Sequence, residues 1–253
     1  MAKMKQMEVV QIDKDLTIIT GGGGNSGIIY SDSLVIVIDT KMDDAAETLH
    51  KKVLEIAGNK PVLVINTHLH PDHIGGNKLY DNSSILAGGS YSKEDWIKEA
   101  GAESLPNRWV QDQLMIPIGT DTLTVFNLAK DVHTQSDVMV YFHQRKVLFG
   151  GDVILNKQAP VIMGIADGDA YMEVLGNLPQ KFEIKTIVPG HGPIGGVELI
   201  EQFNQFFTDM KEAATHTVKE KELIAKYSSW NQLPFFMSPK ATMNHFKDKI
   251  SKN

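Results

Sequence analysis

Four imidazole or carboxylate side chains fall within six residues in the stretch Thr67-His68-Leu69-His70-Pro71-Asp72-His73. In an extended segment, His68 and His70 point to the same side, because side chains alternate with a period of two. Pro71 then fixes φ and breaks the strand, which turns Asp72 and His73 towards a second position nearby. This short loop could therefore provide ligands to two metal ions, a hypothesis that needs support from the rest of the chain.

The residues on either side of this stretch favour an ordered site over a solvated histidine-rich loop. The apolar run Val62-Leu63-Val64-Ile65 leads into it and is typical of a strand that is buried on both faces. Gly75-Gly76 follows and permits a close turn. The sequence therefore predicts a metal loop at the end of a buried strand.

Each cation needs more ligands than this loop supplies, and three further His or Asp residues stand next to predicted strands. His133 lies in a loop before the strand predicted at 138–142, Asp152 follows the strand predicted at 146–149, and His191 follows the apolar run 186–189. Neighbouring glycines allow the backbone to approach a shared centre. The predicted metal ligands are His68, His70, Asp72, His73, His133, Asp152 and His191.

The order of the predicted elements favours two sheets packed face to face. The first half contains strands at 8–12, 16–20, 27–30, 34–38 and 62–65, with an amphipathic helix over 43–57 that Gly58-Asn59 ends. The second half contains strands at 114–118, 123–128, 138–142 and 146–149, followed by a helical pattern over 197–226. Two such halves predict an α/β protein with a four-layer αββα sandwich. We expect one domain over 1–253, with the motifs at about 25–195 and a helical C-terminal part at about 197–253.

Composition narrows the classes of function. The formal net charge of -6 provides no basic field to attract nucleic acid, so we expect no nucleic-acid partner. No apolar run approaches the ~20 residues that a membrane span needs, and no signal peptide is recognisable, so we predict a cytoplasmic protein with no membrane partner. The chain has no cysteine, so any metal ion must be bound by nitrogen and oxygen.

Three segments resemble motifs of the metallo-β-lactamase superfamily: 133–137 (His-Thr-Gln-Ser-Asp), 147–152 (Val-Leu-Phe-Gly-Gly-Asp) and 188–193 (Val-Pro-Gly-His-Gly-Pro). Together with the stretch at 67–73, they extend the resemblance over about 25–195. The resemblance implies the αββα fold with the site along one edge. It also implies that one metal ion is held by His68, His70 and His133, that a second is held by Asp72, His73 and His191, and that Asp152 bridges both.

Water is the simplest nucleophile for this chain, because it has no thiol and no Gly-x-Ser-x-Gly motif. A metal ion lowers the pKa of bound water to about 7. Two dications, the catalytic carboxylates Asp72 and Asp152, and a bridging hydroxide leave one net positive charge to stabilise an oxyanion. The sequence thus predicts a metal-dependent hydrolase. Its donor set favours two divalent zinc ions, with iron or manganese as alternatives.

Differences between this sequence and known subgroups of the family narrow the range of possible substrates. Lactamases of the superfamily usually carry Cys or Ser where Asp152 stands, and one subclass has a substrate-binding Lys where this chain has Leu155. Glyoxalase-type thioesterases share all seven ligands, but the segment 153–157 differs from their Gly-Cys-Gly-Arg stretch. We expect a small-molecule ester, thioester, lactone or lactam. The alternatives are an iron-dependent oxidoreductase similar to sulfur dioxygenases, a phosphodiesterase and a non-catalytic binding module.

The remaining candidates are interpreted as structural. Gly21 to Gly24 precedes a strand and lacks a following Lys-Ser/Thr, so we interpret it as a flexible loop rather than a phosphate loop. Asp137 either orients a ligand or caps a loop. Surface roles are expected for His50, His143, His216 and His245. Core packing is favoured over a role as pocket wall for Trp96, Trp109, Met163 and 233–237.

Overall fold

The structure is a computed structural model and describes residues 7–128, 131–162, 164–216, 218–232 and 237–252. Two sheets form the centre of the molecule. The seven-stranded sheet contains, in spatial order, β1 Glu8–Asp13, β2 Leu16–Thr20, β3 Ser26–Tyr30, β4 Val35–Ile38, β5 Val62–Ile65, β6 Ser84–Gly88 and β7 Arg108–Val110. The five-stranded sheet contains β8 Gln113–Ile118, β9 Asp121–Leu128, β10 Asp137–Phe142, β11 Val147–Gly151 and β12 Thr186–Pro189, in the spatial order β12-β11-β10-β9-β8.

Seven α-helices occur in the described residues, and some of them cover the outer faces of the sheets. They are α1 Asp43–Ala57, α2 Pro71–Ile74, α3 Lys93–Ala100, α4 Gly168–Lys181, α5 Glu198–Thr215, α6 Glu220–Lys226 and α7 Pro239–Ser251. Helix α1 buries an apolar face that includes Leu49 and Val53. It ends at Gly58, which has a φ of 56° and donates its N–H to the carbonyl oxygen of Leu54. The structure confirms this predicted helix and its glycine stop.

Three apolar interfaces separate the four layers. The sheets pack against each other through residues such as Ile36 on one side and Val140 on the other. Helix α1 packs on the outer face of the first sheet, against a cluster that contains Val64. Helices α4, α5 and α7 pack on the outer face of the second sheet, in a cluster that contains Leu175 and Phe206. The predicted αββα sandwich is confirmed.

Strand direction places the key loops at one edge of the sandwich. Strands β4 to β7 run parallel, and β11 runs parallel to β12. Because β10 is antiparallel to β11, the start of β10 lies at the edge where β11 ends. The N–H of Val138 donates to the carbonyl oxygen of Thr67 over 2.7 Å, which joins this edge to the loop after β5. The loops after β5, β11 and β12 and the loop before β10 therefore meet.

The differences from the predicted elements concern strands and helices, and the strands β6 and β7 were not predicted. The hairpins β1–β2 and β3–β4 are confirmed. The predicted helical stretch 197–226 is instead two helices, α5 and α6. Helices α3 and α4 were not predicted; α4 carries Gly176 and Pro179, which have low helix propensity, but it buries Leu175 and Leu178 against the second sheet. Within the described ranges, no helix has both the length and the apolar character needed to cross a membrane.

Candidate metal centre

The first group of donor atoms comes from the loops after β5 and β11 and the loop before β10. Nδ1 of His70 lies 3.1 Å from Nε2 of His68 and 3.0 Å from Nε2 of His133. One carboxylate oxygen of Asp152, Oδ2, lies 3.6 Å from Nε2 of His133. These four residues offer one donor atom each within 4.8 Å of one another, which is close enough to surround a single cation.

The second group combines α2 with the loop after β12. Pro71 occupies the first turn of α2, where its fixed φ suits the start of a helix, and this turn carries Asp72 and His73. Nε2 of His191 lies 3.1 Å from Oδ2 of Asp72 and 3.3 Å from Nε2 of His73. The structure thus places Asp72, His73 and His191 in a second set of converging donors.

Asp152 lies between the two groups and directs one oxygen to each. Its Oδ1 lies 3.3 Å from Nε2 of His73 and 3.5 Å from Nε2 of His191. Its Oδ2 faces the first group, at 3.6 Å from His133 and 4.0 Å from His68. The structure therefore brings all seven residues of the predicted site together, with a carboxylate in the middle.

The donor set fits divalent cations. Oδ1 of Asp152 is buried and has no well-aligned hydrogen bond among the described residues, with Nε2 of His73 at 3.3 Å. A buried carboxylate oxygen without a well-aligned hydrogen bond is costly, and a cation would satisfy it. Five imidazoles and two carboxylates, with no thiolate, are typical ligands of zinc, manganese or iron.

Burial and charge act differently on the histidines of the two groups. Burial lowers the pKa of His133 to about 3 and lowers that of His68 well below its ordinary value, which leaves both rings neutral and able to act as donors. Burial also disfavours charge on His73, but the carboxylates of Asp39 and Asp152 raise its pKa well above the ordinary value. Cation binding at the second group would therefore release protons.

In His73 and His133, the ring nitrogen that faces away from the centre makes a polar contact that holds the ring in place. Nδ1 of His73 lies 2.7 Å from Oδ2 of Asp39, a buried residue directly after β4. Asp39 also accepts hydrogen bonds from the N–H and the hydroxyl of Thr67, both at 2.7 Å. The hydroxyl of Tyr171, on α4, lies 3.0 Å from Nδ1 of His133. Such contacts fix ring orientation and the tautomer.

Asp137 caps the loop that carries His133. It accepts hydrogen bonds from the N–H groups of His133, at 2.8 Å, and of Thr134, at 3.0 Å. Burial raises its pKa to about 7 in spite of these hydrogen bonds. Of the two roles considered for Asp137, the contacts thus favour the loop cap, which in turn places His133.

The glycine loop at 21–24 packs directly against the second group. A Cβ atom at Gly23 would lie 2.9 Å from Cβ of Asp72, and one at Gly24 would lie 2.3 Å from Cε1 of His73. The N–H of Gly24 also donates to the carbonyl oxygen of Asp72 over 3.3 Å. The glycines are needed here for close approach, so the interpretation as a merely flexible loop was incomplete.

A cleft of about 830 Å³ opens beside the second group. It is lined by His191, by the glycine loop and by polar residues that include Asn156, Lys157 and Ser229. Its volume lies within the range of about 300–1,000 Å³ that is usual for small-molecule sites. Of the seven donor residues, His191 is the one that lines this cleft in the described part of the chain.

The other histidines and the tryptophans lie outside the centre. His143 and His216 are exposed, whereas His50 and His245 are half-buried, and none of the four belongs to either donor group. Trp96 is buried against Tyr91 and Trp109, as the packing interpretation predicts. Met163 and residues 233–236, also interpreted as packing residues, lie outside the described residues.

Sequence reasoning missed Asp39, Lys41 and Tyr171. Asp39 had a usable signal, because it follows β4, which runs parallel to β5 and so ends at the same edge. Lys41 is buried, and burial lowers its pKa to about 8, although Asp39 and Asp72 oppose this shift. Tyr171 lies in the helix α4, which was not predicted and carried no motif.

Comparisons with known proteins agree with this geometry. The sequence profile described as the metallo-beta-lactamase superfamily matches residues 19–191. A metallo-beta-lactamase type 2 from Bacteroides fragilis is 28% identical over 195 residues, which cover 76% of this chain and 78% of that protein. A human acyl-coenzyme A thioesterase, MBLAC2, is 23% identical over 215 residues, which cover 71% of this chain and 76% of that protein.

Solved structures share the fold. A metallo-beta-lactamase from Pontibacter korlensis superposes with a TM-score of 0.69 and 22% identity. The match covers 80% of this chain and 99% of that one. At this identity the likeness concerns the fold alone.

Proposed function

Because this chain belongs to the metallo-β-lactamase superfamily, we propose that it is a dinuclear metallohydrolase that cleaves a small acyl ester or thioester. In this proposal, one cation is held by His68, His70 and His133, the other by Asp72, His73 and His191, and Asp152 contacts both. Zinc is the proposed metal, because neutral imidazoles and carboxylates suit it.

The position of Asp152 carries the proposal. Its two oxygens face different donor groups, Oδ1 towards His73 and His191 and Oδ2 towards His133. A mononuclear centre would need only one group of converging donors, and it would leave the second group, with its buried His73, without a cation. Two cations use both groups and satisfy the buried carboxylate.

When bound, the two cations would supply a water molecule that loses a proton near neutral pH and positive charge for a developing oxyanion. The ligands determine the net charge of the loaded centre, because only two of the seven donors, Asp72 and Asp152, are carboxylates that would neutralise the charge of the cations. The five imidazoles add no negative charge when neutral. The residues thus leave the centre positively charged, which favours a transition state that carries negative charge.

Asp72 is the carboxylate placed to handle protons. Its side chain is 24% exposed, whereas that of Asp152 is 8% exposed. Oδ2 of Asp72 lies 3.1 Å from Nε2 of His191, one of the residues that line the cleft. We assign to Asp72 the orientation of the attacking water and the passage of its proton towards the leaving group.

The substrate class follows from the cleft and from position 155. Leu155 is 2% exposed and packs in the apolar cluster beneath α4 and α5, so this position offers no cation to the carboxylate of a substrate. The cleft is lined by several amide and hydroxyl side chains together with the charged Glu8 and Lys157, and these suit a polar leaving group. The human relative is named an acyl-coenzyme A thioesterase, which agrees with thioester cleavage.

A lactam or lactone is the second candidate substrate. The relative from Bacteroides fragilis is named a metallo-beta-lactamase, and its match covers most of both chains. The same centre would stabilise the oxyanion from a cyclic amide or ester. The carboxylate at position 152 and the buried leucine at position 155 favour the open-chain ester or thioester.

A hydrolysis screen of the zinc-loaded protein tests the proposal. The panel comprises an acyl-coenzyme A thioester, p-nitrophenyl acetate, a γ-lactone, a β-lactam and bis-p-nitrophenyl phosphate. We expect the ester or thioester to give the highest kcat/KM, with activity lost on chelation and restored by zinc. Chelator-insensitive hydrolysis, a clear preference for the phosphodiester, or metal-dependent oxygen consumption without hydrolysis would each contradict it. Cytoplasmic location and a small-molecule partner remain predictions.

A further inference from the structure

Lys41 is a buried lysine that ties the glycine loop to the connection between β4 and α1. Its side chain is fully buried, which is unusual for lysine, and its Nζ donates hydrogen bonds to the carbonyl oxygens of Gly21, at 2.8 Å, and Gly24, at 2.6 Å. Its backbone has a φ of 60°, and Asp39 has a φ of 57°. Non-glycine residues in this region are strained, and such strain concentrates at functional sites.

The loop that Lys41 holds contacts one end of the second donor group. Gly24 donates its N–H to the carbonyl oxygen of Asp72, and neither Gly23 nor Gly24 leaves room for a Cβ atom beside Asp72 and His73. A displacement of the loop would therefore remove one of the supports of the turn that carries these two ligands.

The same segment contacts the other end of the second group through Asn25. The N–H of Asn25 donates to the carbonyl oxygen of Gly190 over 2.7 Å. Its side-chain Nδ2 donates to the carbonyl oxygens of Pro189, at 2.8 Å, and Gly192, at 2.9 Å. These three carbonyls flank His191, so residues 21–25 connect all three members of the second group.

The first group is held by other contacts. His133 is placed by Asp137 and Tyr171, and Nδ1 of His68 lies 3.1 Å from the hydroxyl of Thr67. In the described part of the chain, no hydrogen bond joins residues 21–25 to the histidines of the first group. Residues 21–25 therefore support the second group only, whereas Asp39 connects the two groups through its contacts with His73 and Thr67.

We propose that Lys41, acting through residues 21–25, is a positioning residue that sets the affinity of the second cation and not that of the first. The inference rests on the proposed two-cation site, but it does not depend on which substrate is hydrolysed.

A positioning role and a purely electrostatic role of Lys41 predict opposite effects on the affinity for the second cation. Its ammonium group is positive and close enough to Asp72 to interact with it, so it disfavours a cation at the second group. A neutral side chain would therefore tighten binding of the second cation if charge alone mattered. If Lys41 acts by placing the loop, the same substitution weakens that binding.

The experiment measures zinc bound per chain against buffered free zinc, by equilibrium dialysis and elemental analysis of protein first stripped of metal. Lys41→Met removes the charge and both hydrogen bonds, and Lys41→Gln removes the charge but keeps a shorter donor. We expect Lys41→Met to lower the affinity for the second ion about 10-fold to 100-fold, which is the usual loss when a residue that orients metal ligands is removed. Lys41→Gln should lower this affinity less. Asn25→Ala should lower the affinity for the same ion.

One variant background and one control variant separate positioning from a general loss of stability. In a His191→Ala background, which leaves the first group complete, Lys41→Met should change the affinity of the remaining ion by less than about twofold. Met210→Ala serves as a matched control, because it creates a cavity in the cluster beneath α5 and should leave both affinities unchanged.

Second-ion binding by Lys41→Met and Lys41→Gln that equals or exceeds that of the parent would overturn the inference. An equal loss in the His191→Ala background, or in Met210→Ala, would overturn it too, because the effect would then be general. If Lys41→Met does not fold, Asn25→Ala decides, and unchanged second-ion affinity there refutes the inference. A parent that binds at most one ion would overturn the proposed dinuclear function together with this inference.

Discussion

Replacement of Asp152 by alanine is expected to lower kcat by at least about a hundredfold, which corresponds to about 2.7 kcal/mol in activation free energy. The carboxylate oxygens lie 3.3 Å and 3.5 Å from the nitrogens of His73 and His191, and 3.6 Å and 4.0 Å from those of His133 and His68. Alanine removes the group that connects the two sets of donors. A displacement of about 1 Å in the reacting groups costs on the order of a hundredfold in rate.

The assay compares kcat of Asp152→Ala, Asp152→Asn and the parent at saturating zinc, on the best substrate from the screen. Asparagine keeps the size of the side chain and one oxygen but loses the negative charge, so its loss in kcat should be smaller than that of alanine. Bound zinc is measured on the same samples, and zinc affinity should fall in both variants.

Folding provides the control for this prediction. The thermal melts must compare metal-free variant with metal-free parent, because bound metal stabilises the native state by mass action. Both should unfold cooperatively. A kcat for Asp152→Ala within a factor of two of the parent, at saturating zinc, would falsify the bridging role.

Three further predictions address the surroundings of the centre and the core. Tyr171→Phe removes the hydroxyl 3.0 Å from Nδ1 of His133, so zinc affinity should fall by roughly tenfold in equilibrium dialysis, and an unchanged affinity would exclude an orienting role. His143→Ala and His216→Ala should leave zinc stoichiometry unchanged by elemental analysis, and a decrease in either would place that histidine among the ligands. Phe206→Ala removes a fully buried aromatic side chain and should lower the free energy of unfolding, measured by urea denaturation, by about 3–5 kcal/mol. A loss below about 1 kcal/mol would contradict the burial of Phe206.

The seven predicted site residues were accessible to sequence reasoning because each stands beside a strand. Apolar runs mark β5, β11 and β12, and the His or Asp that follows such a run falls at the edge where parallel strands end. His133 precedes β10, which is antiparallel to β11, so it reaches the same edge from the opposite direction. The structure places these residues together, and their role as metal ligands remains a prediction for the measurements above.

The supporting residues could not be found in the same way. Lys41 acts through carbonyl oxygens of a loop 17 to 20 positions earlier, and these contacts depend on the positive φ values at Asp39 and Lys41, which no local pattern encodes. Tyr171 reaches His133 only because α4 packs on the second sheet. Helix α4 itself escaped prediction because Gly176 and Pro179 lower its helix propensity, whereas tertiary burial stabilises it. The prediction of one domain over 1–253 also remains to be tested.

Zinc content tests the central claim most directly. Protein stripped of metal, reloaded with zinc and freed of excess ion by gel filtration is analysed for zinc per chain, next to His191→Ala, which lacks one ligand of the second group. The two groups bridged by Asp152 predict about two ions in the parent and about one in the variant. A parent that binds one ion or fewer after full loading would contradict the dinuclear centre.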